Sequence, residues 1–335
     1  MQSKYSILAL TLLSSASWMS AQTTNWTNTG TGDWSTVSNW SSGLPSATVN
    51  AQINLGEAQV TTSAQAKLVT IGVATNGKLS VQTGAELITS DRLNLGLNGG
   101  TGTYEQSGGT VNVTEFRFNT NGSSMKITGG SFVSNAKSYL AISTNTSKGT
   151  TLSLEGGSLT INGNLVLARD GSGIFKVSGG SFSGTYLTSE NNGSGEMQIL
   201  GSGASSISFS TSIMAGALNT LMYSFDSGGV TTVEVGAHAD LTGVTFVFDD
   251  MPGFSAQIGD TFTLVQSRNT AGNITIDENP TISSLGNYQF SLAVVDVDGY
   301  DTLQATVTAI PEVNTYGVLI GALTLGCLYS RRHRK

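Results

Sequence analysis

The chain has 335 residues, with 42 Gly, 4 Pro and 11% charged side chains. Its 38% hydrophobic content argues against disorder, which needs a depleted apolar fraction or a high net charge. With a net charge of −7 and one cysteine, Cys327, it has neither the basic face that a nucleic-acid binder requires nor a disulfide framework.

Residues 1–21 read as a secretory signal peptide. Lys4 supplies the positive start, Tyr5 to Leu13 the apolar stretch, and Ser14 to Ala21 the small-residue region, with cleavage expected after Ala21. This implies passage through a secretion translocon.

Residues 22–50 hold three of the four tryptophans, Trp26, Trp34 and Trp40, with Gly43 and Pro45. The first reading is an N-terminal cap, because a stack of coils exposes the apolar end of its own core. The alternative is an aromatic platform on which sugar rings of an extracellular polysaccharide stack.

Residues 51–229 carry two periodic marks in register. The first is an apolar strand running into Gly-Gly, then a small polar and a large apolar residue. It occurs at Tyr104 to Val111, Met125 to Phe132, Leu152 to Leu159 and Phe175 to Phe182. Counted from the first glycine, positions −4 and −2 are Tyr104/Gln106, Met125/Ile127, Leu152/Leu154 and Phe175/Val177. Position +3 is Val111, Phe132, Leu159 and Phe182. Polar residues alternate between them, so these are core positions, with Gln106 the exception.

The second mark is a corner at Asn76-Gly77, Asn98-Gly99, Asn121-Gly122, Asn145 to Gly149, Asp170-Gly171 and Asn192-Gly193. The spacings are 22, 23, 24, 25 and 22 residues. Asn and Gly tolerate positive φ and suit tight turns. Before these corners come further apolar pairs: Leu93/Leu95, Phe116/Phe118, Leu140/Ile142 and Leu165/Leu167. No segment keeps an i, i+3, i+4, i+7 apolar face.

Three strands per turn of about 22 residues describe an all-β protein, a right-handed parallel β-helix (a β-solenoid). One such unit cannot bury its apolar face alone, so coils must stack. About seven coils are expected. Residues 230–309 are expected to form a C-terminal β region: Val233/Val235 and Phe246/Phe248 suggest further strands, and residues 251–309 look different, with a strand after Gly259-Asp260 and a hairpin around Asp298-Gly299. They read as a C-terminal antiparallel β cap.

Few side chains suggest chemistry. Glu115, Arg117 and Glu190 fall at +7, +9 and +11 after the Gly-Gly mark and out of register, and Arg169-Asp170 lies at a corner. Paired carboxylates act on glycosidic bonds only when held at a set separation. His238, the only histidine of the body, reads as a solvent-facing turn residue. Asp296, Asp298, Gly299 and Asp301 loosely follow a calcium loop but lack its later bidentate Glu, and a hairpin turn accounts for them. No catalytic residue, metal site or cofactor is expected.

The C-terminal residues 310–335 contain Pro311 and Glu312, an apolar run from Gly317 to Tyr329, and Arg331, Arg332, Arg334 and Lys335. This order resembles the PEP-CTERM sorting signal of Gram-negative surface proteins, with Val313 where that signal has its second proline. The resemblance implies an exosortase-type processing enzyme as partner. It also implies transient insertion of 316–330 in the inner membrane, then delivery to the cell surface or extracellular matrix. The basic end would stay cytoplasmic. The tryptophan pattern likewise resembles the start of autotransporter-like repeat proteins that carry this signal. With both addresses trimmed but Glu312 kept, Lys+Arg falls to 10 against 22 Asp+Glu, a net charge of −12, which favours solubility and disfavours anionic partners. The expected function is a non-catalytic structural or adhesive surface protein; the alternative is a polysaccharide-binding or polysaccharide-degrading β-helix.

Overall fold

The computed structural model describes residues 22–120, 122–142, 149–191, 193–268 and 273–310. The corner residues Asn121, Asn145 and Asn192, the 1–21 segment and residues 311–335 lie outside them. The chain is a β-solenoid of about nine turns, with coils roughly 24 residues apart.

Each coil contributes three short strands, and each strand pairs in parallel with its counterparts in the coils before and after. Position −4 of the Gly-Gly mark forms one continuous inward column. It runs from Ala58 and Leu79 through Tyr104, Met125, Leu152 and Phe175 to Met197, Leu221 and Phe246. Position +3 forms a second, from Ala64 and Leu87 through Val111, Phe132, Leu159 and Phe182 to Ile207, Val233 and Val265. The third starts at Ala51, Val69, Leu93 and Phe116 and continues through Leu165 and Leu187 to Ile213 and Ala239. These columns form one buried core. Stacking also satisfies the strand N–H and C=O groups that a lone coil would strand.

The Gly-Gly mark is a corner set by sterics. Its second glycines, Gly109, Gly130, Gly157 and Gly180, have φ of 67, 78, 68 and 73°, a region that costs side-chain-bearing residues energy. They also stack without room for a methyl. A Cβ on Gly130 would lie 2.3 Å from the Gly109 carbonyl oxygen, one on Gly157 2.4 Å from that of Gly130, and one on Gly180 2.5 Å from that of Gly157. The Asn-Gly corners are less uniform than expected. Asn98 and Gly99 both adopt positive φ, 51 and 90°, whereas at Asn76-Gly77 the left-handed residue is Ala74 at 60°. Gly77 is needed there for close approach, since its Cβ would meet the Ile53 carbonyl oxygen at 1.9 Å.

Some core positions are polar, Gln106 and Ser138 among them. Gln106 is buried. Its Oε1 accepts from the Tyr104 hydroxyl (3.0 Å), and its Nε2 donates to the carbonyls of Gly109 and Ser131 (3.3 and 3.2 Å). Burial of an amide is tolerated when its hydrogen bonds are met. In the third column, the expected pair Leu140/Ile142 sits two residues off. Arg117 pairs with Tyr139 and Ser138 with Leu165, so Ser138 and Leu140 face inward. The register is set at the corner from Ser134 to Ser138, whose buried hydroxyls bond to each other at 2.7 Å. The Phe116 N–H donates to Ser138 Oγ at 3.2 Å.

The solenoid is longer than the expected 51–229. At its start, Thr23–Asn25 and Thr31–Asp33 already pair in parallel with Asn50–Ile53 and Glu57–Val60, so the tryptophan segment is itself the first coil. At its end, parallel pairing continues past residue 230 to Thr281–Ser284. Between strands of the described residues, antiparallel pairing occurs at Tyr300–Ala309, which lies between Thr261–Ser267 and Gln289–Val297.

Candidate functional site

Trp26, Trp34 and Trp40 are 1, 4 and 5% exposed, which corrects the reading of them as a sugar platform. Stacking on a sugar needs an open ring face. Here Trp40 stands edge-on to both others, with centroids 5.1 Å from Trp26 and 4.8 Å from Trp34. Trp40 Nε1–H donates to the Trp34 carbonyl at 2.8 Å. The trio plugs the open end of the core. The chain then folds back beneath the first strand: Thr27 N–H donates to the Asn39 carbonyl and Ser41 N–H to that of Asn25. That return covers the edge.

The charges that looked scattered in sequence converge on one face. Arg92 is paired across the coils with Glu115, and Arg117 with Tyr139. Glu115 accepts from Arg92 Nε at 3.1 Å and Arg117 Nη2 at 2.8 Å. The Arg117 guanidinium and the Lys137 ammonium lie 5.4 and 5.2 Å from the Tyr139 ring centroid, within cation–π range. Lys137 also reaches across a whole coil to pair with Glu190. That contact, chiefly, holds the Lys137 ammonium above its ordinary pKa. Arg169 pairs with its neighbour Asp170 at 3.3 Å.

Lys137 and Tyr139 were missed as members of this belt. No local signal marked them; the Ser134–Ser138 corner sets their register against Arg117. Chemically, the belt is self-neutralising. Glu115 and Glu190 each hold cations, and Tyr139 has cations over its ring. Arg117 Nε, Asn94 Oδ1 and Asn119 Nδ2 have no protein partner, but they are shielded from solvent beneath it. An open depression of about 220 Å³ on another face, lined by Glu105, Gln106, Ser107, Lys126 and Thr128, follows the same pattern. Glu105 pairs with Lys78 at 2.8 Å and Lys126 with Glu155 at 2.7 Å.

The remaining candidates are placed as follows. His238 opens the strand His238–Asp240 opposite Ser212, so it is a strand residue and not a turn residue. Asp298 and Gly299, with φ of 56 and 84°, form the two-residue turn of the final hairpin. Asp296 accepts the Gly299 N–H at 2.8 Å, and Asp301 accepts the Ile274 N–H at 3.3 Å. Among the described residues, no three His, Cys, Asp or Glu side chains gather as a metal site would need. The sorting residues Pro311, Glu312, Arg331, Arg332 and Arg334, and the 316–330 segment, lie outside the described residues. Among those described, no helix is long and apolar enough to cross a membrane.

Most outward positions of the second face are short and polar. Thr110, Ser131, Ser158 and Ser181 form one outer column, and Asn112, Val133, Thr160, Ser183 and Ser208 another. Side-chain amides link coils beside them: Asn135 Nδ2 donates to Asn112 Oδ1 at 2.6 Å, and Asn162 Nδ2 to Asn135 Oδ1 at 3.2 Å. A scan of the chain against protein-family models finds no match, and a search of the curated proteins finds none.

Proposed function

We propose that this chain is a non-catalytic structural or adhesive β-solenoid of a Gram-negative cell surface or extracellular matrix. Residues 1–21 export it through the secretion translocon, and residues 310–335 sort it through an exosortase-type enzyme. The observation that carries this reading is the character of the shaft's exterior. It offers in-register columns of Ser, Thr and Asn, while the charges of its densest patch are spent on one another. Such a surface suits repeated weak contacts with hydroxylated matrix, including extracellular polysaccharide. It does not suit proton transfer, which needs a carboxylate poised beside a reacting group.

Two experiments test the reading. Incubation with a panel of extracellular polysaccharides should leave chain lengths unchanged; bond cleavage that follows the purified protein would overturn the non-catalytic assignment. Replacing Pro311 and Glu312 with alanine should leave a full-length tail in the membrane fraction, against a trimmed surface form for the parent. Identical tails in both would rule out processing at this site.

A further inference from the structure

The strand Gln289–Val297 is nine residues long and pairs on one side with Tyr300–Ala309. Among the described residues, its only strand partner is Tyr300–Ala309. It reads Gln-Phe-Ser-Leu-Ala-Val-Val-Asp-Val, rich in β-formers, with one charge, no lysine and no proline. Soluble proteins blunt such edges with lysine, proline or a covering segment. The first coil of this same chain has its edge covered, whereas among the described residues no segment covers this strand. At its start, where Gln289 lies opposite Ala309, Leu285 and Ile310 are 65 and 43% exposed. Ile258 is 64% exposed and lies beside the same end of the sheet, because the Gly259 N–H donates to the Val307 carbonyl.

We infer that this edge pairs with the same edge of a second copy, antiparallel, about a two-fold axis at Ala293. Charge selects the occupant and the direction. A basic partner has only Asp296 to recognise. Parallel self-pairing would stack the two Asp296 side chains one strand spacing apart, about 4.8 Å. Antiparallel pairing about Ala293 sets each Asp296 opposite Phe290 of the other copy. The two carboxylates are then six residues apart along the strands, about 20 Å, beyond the roughly 8–10 Å over which exposed charges interact in physiological salt. The contact is isologous and closes at two copies, joining two shafts through one continuous antiparallel sheet.

The test uses the full chain in one mild detergent throughout, so that the apolar 316–330 segment is present in every sample. Light scattering should give twice the 34.6 kDa chain mass. The double variant Ser291→Lys/Ala293→Lys changes two exposed side chains and sets like charges facing across the axis. It should give the single-chain mass with an unchanged circular dichroism spectrum. In a Cys327→Ser background, Ala293→Cys should form a disulfide-linked dimer under mild oxidation. A single-chain mass for the parent, a dimer that survives the double lysine variant, or no cross-link at Cys-substituted 293 would each overturn the inference.

Discussion

The two ends of the shaft solve one problem differently. Both must plug an apolar core and quiet a row of unpaired backbone groups. The N-terminal end does both within one coil: Trp26, Trp34 and Trp40 fill the opening, and the return through Asn39 and Ser41 covers the first strand. The C-terminal end plugs with phenylalanines. Phe290 stacks on Phe225 at 5.0 Å, while Phe248 and Phe262 pack around them. Its hairpin, however, adds a strand sideways, so the edge moves to Gln289–Val297, which no segment among the described residues covers. Plugging a core and closing an edge are therefore separable tasks, and among the described residues the second end performs only the first.

The largest expected effect breaks the shaft between these ends. Gly157→Val imposes a side chain at φ 68° and drives it into the Gly130 carbonyl. It should destabilise by about 3–5 kcal/mol and yield little soluble protein. Denaturant unfolding of whatever is recovered should show a lowered midpoint, and a parent-like midpoint would contradict the glycine stack. Next come the plugs. Trp40→Ala and Phe225→Ala should each cost about 3–5 kcal/mol, but in different places. Hydrogen exchange should show protection lost first in residues 22–81 for Trp40→Ala and in residues 220–309 for Phe225→Ala. Uniform loss in both would show that the ends are not independent, against the near-neighbour behaviour expected of a solenoid.

Smaller effects sharpen the contrast between surface and core. Lys137→Ala removes a partly exposed pair with Glu190 and should cost less than about 1 kcal/mol in thermal unfolding. A cost as large as the plug variants would mark the belt as part of the fold's foundation. The smallest effect concerns Asp226. The Ser202 N–H, followed by the Ser202 hydroxyl and the Gly228 N–H, holds its carboxyl below the ordinary range. A depressed native pKa adds stability above the unfolded value of 3.8, and that share is lost as pH falls through the native value. Asp226→Asn should therefore be slightly less stable than the parent near neutral pH, with the gap narrowing below pH 3.8. A gap that is constant with pH would remove the carboxylate from the account.

Much of the shaft was legible in the sequence because one in/out alternation repeats in every coil. The −4 and +3 positions read there are the first two core columns. What sequence periodicity does not carry is corner length. The corner between Ser134 and Ser138 puts Leu140 in the place expected for Ile142 and brings Tyr139 onto Arg117. The coil's extent was also under-read. Phe246 and Val265 continue the columns although the Gly-Gly mark has faded, since pairing needs matched inward side chains and not the same corner. The tryptophans were read correctly as an end piece, but their burial decides against a sugar platform. Contacts such as Lys137 to Glu190, across two coil repeats, depend on stacking that no local pattern encodes.

The proposal of a sorted, surface-displayed shaft is tested most directly by intact-mass measurement of the protein recovered from fractionated native cells. The account predicts a surface or matrix form that begins at Gln22 and ends near Ile310, lacking Arg331, Arg332 and Arg334. A full-length chain of 335 residues in the cytosol would contradict it.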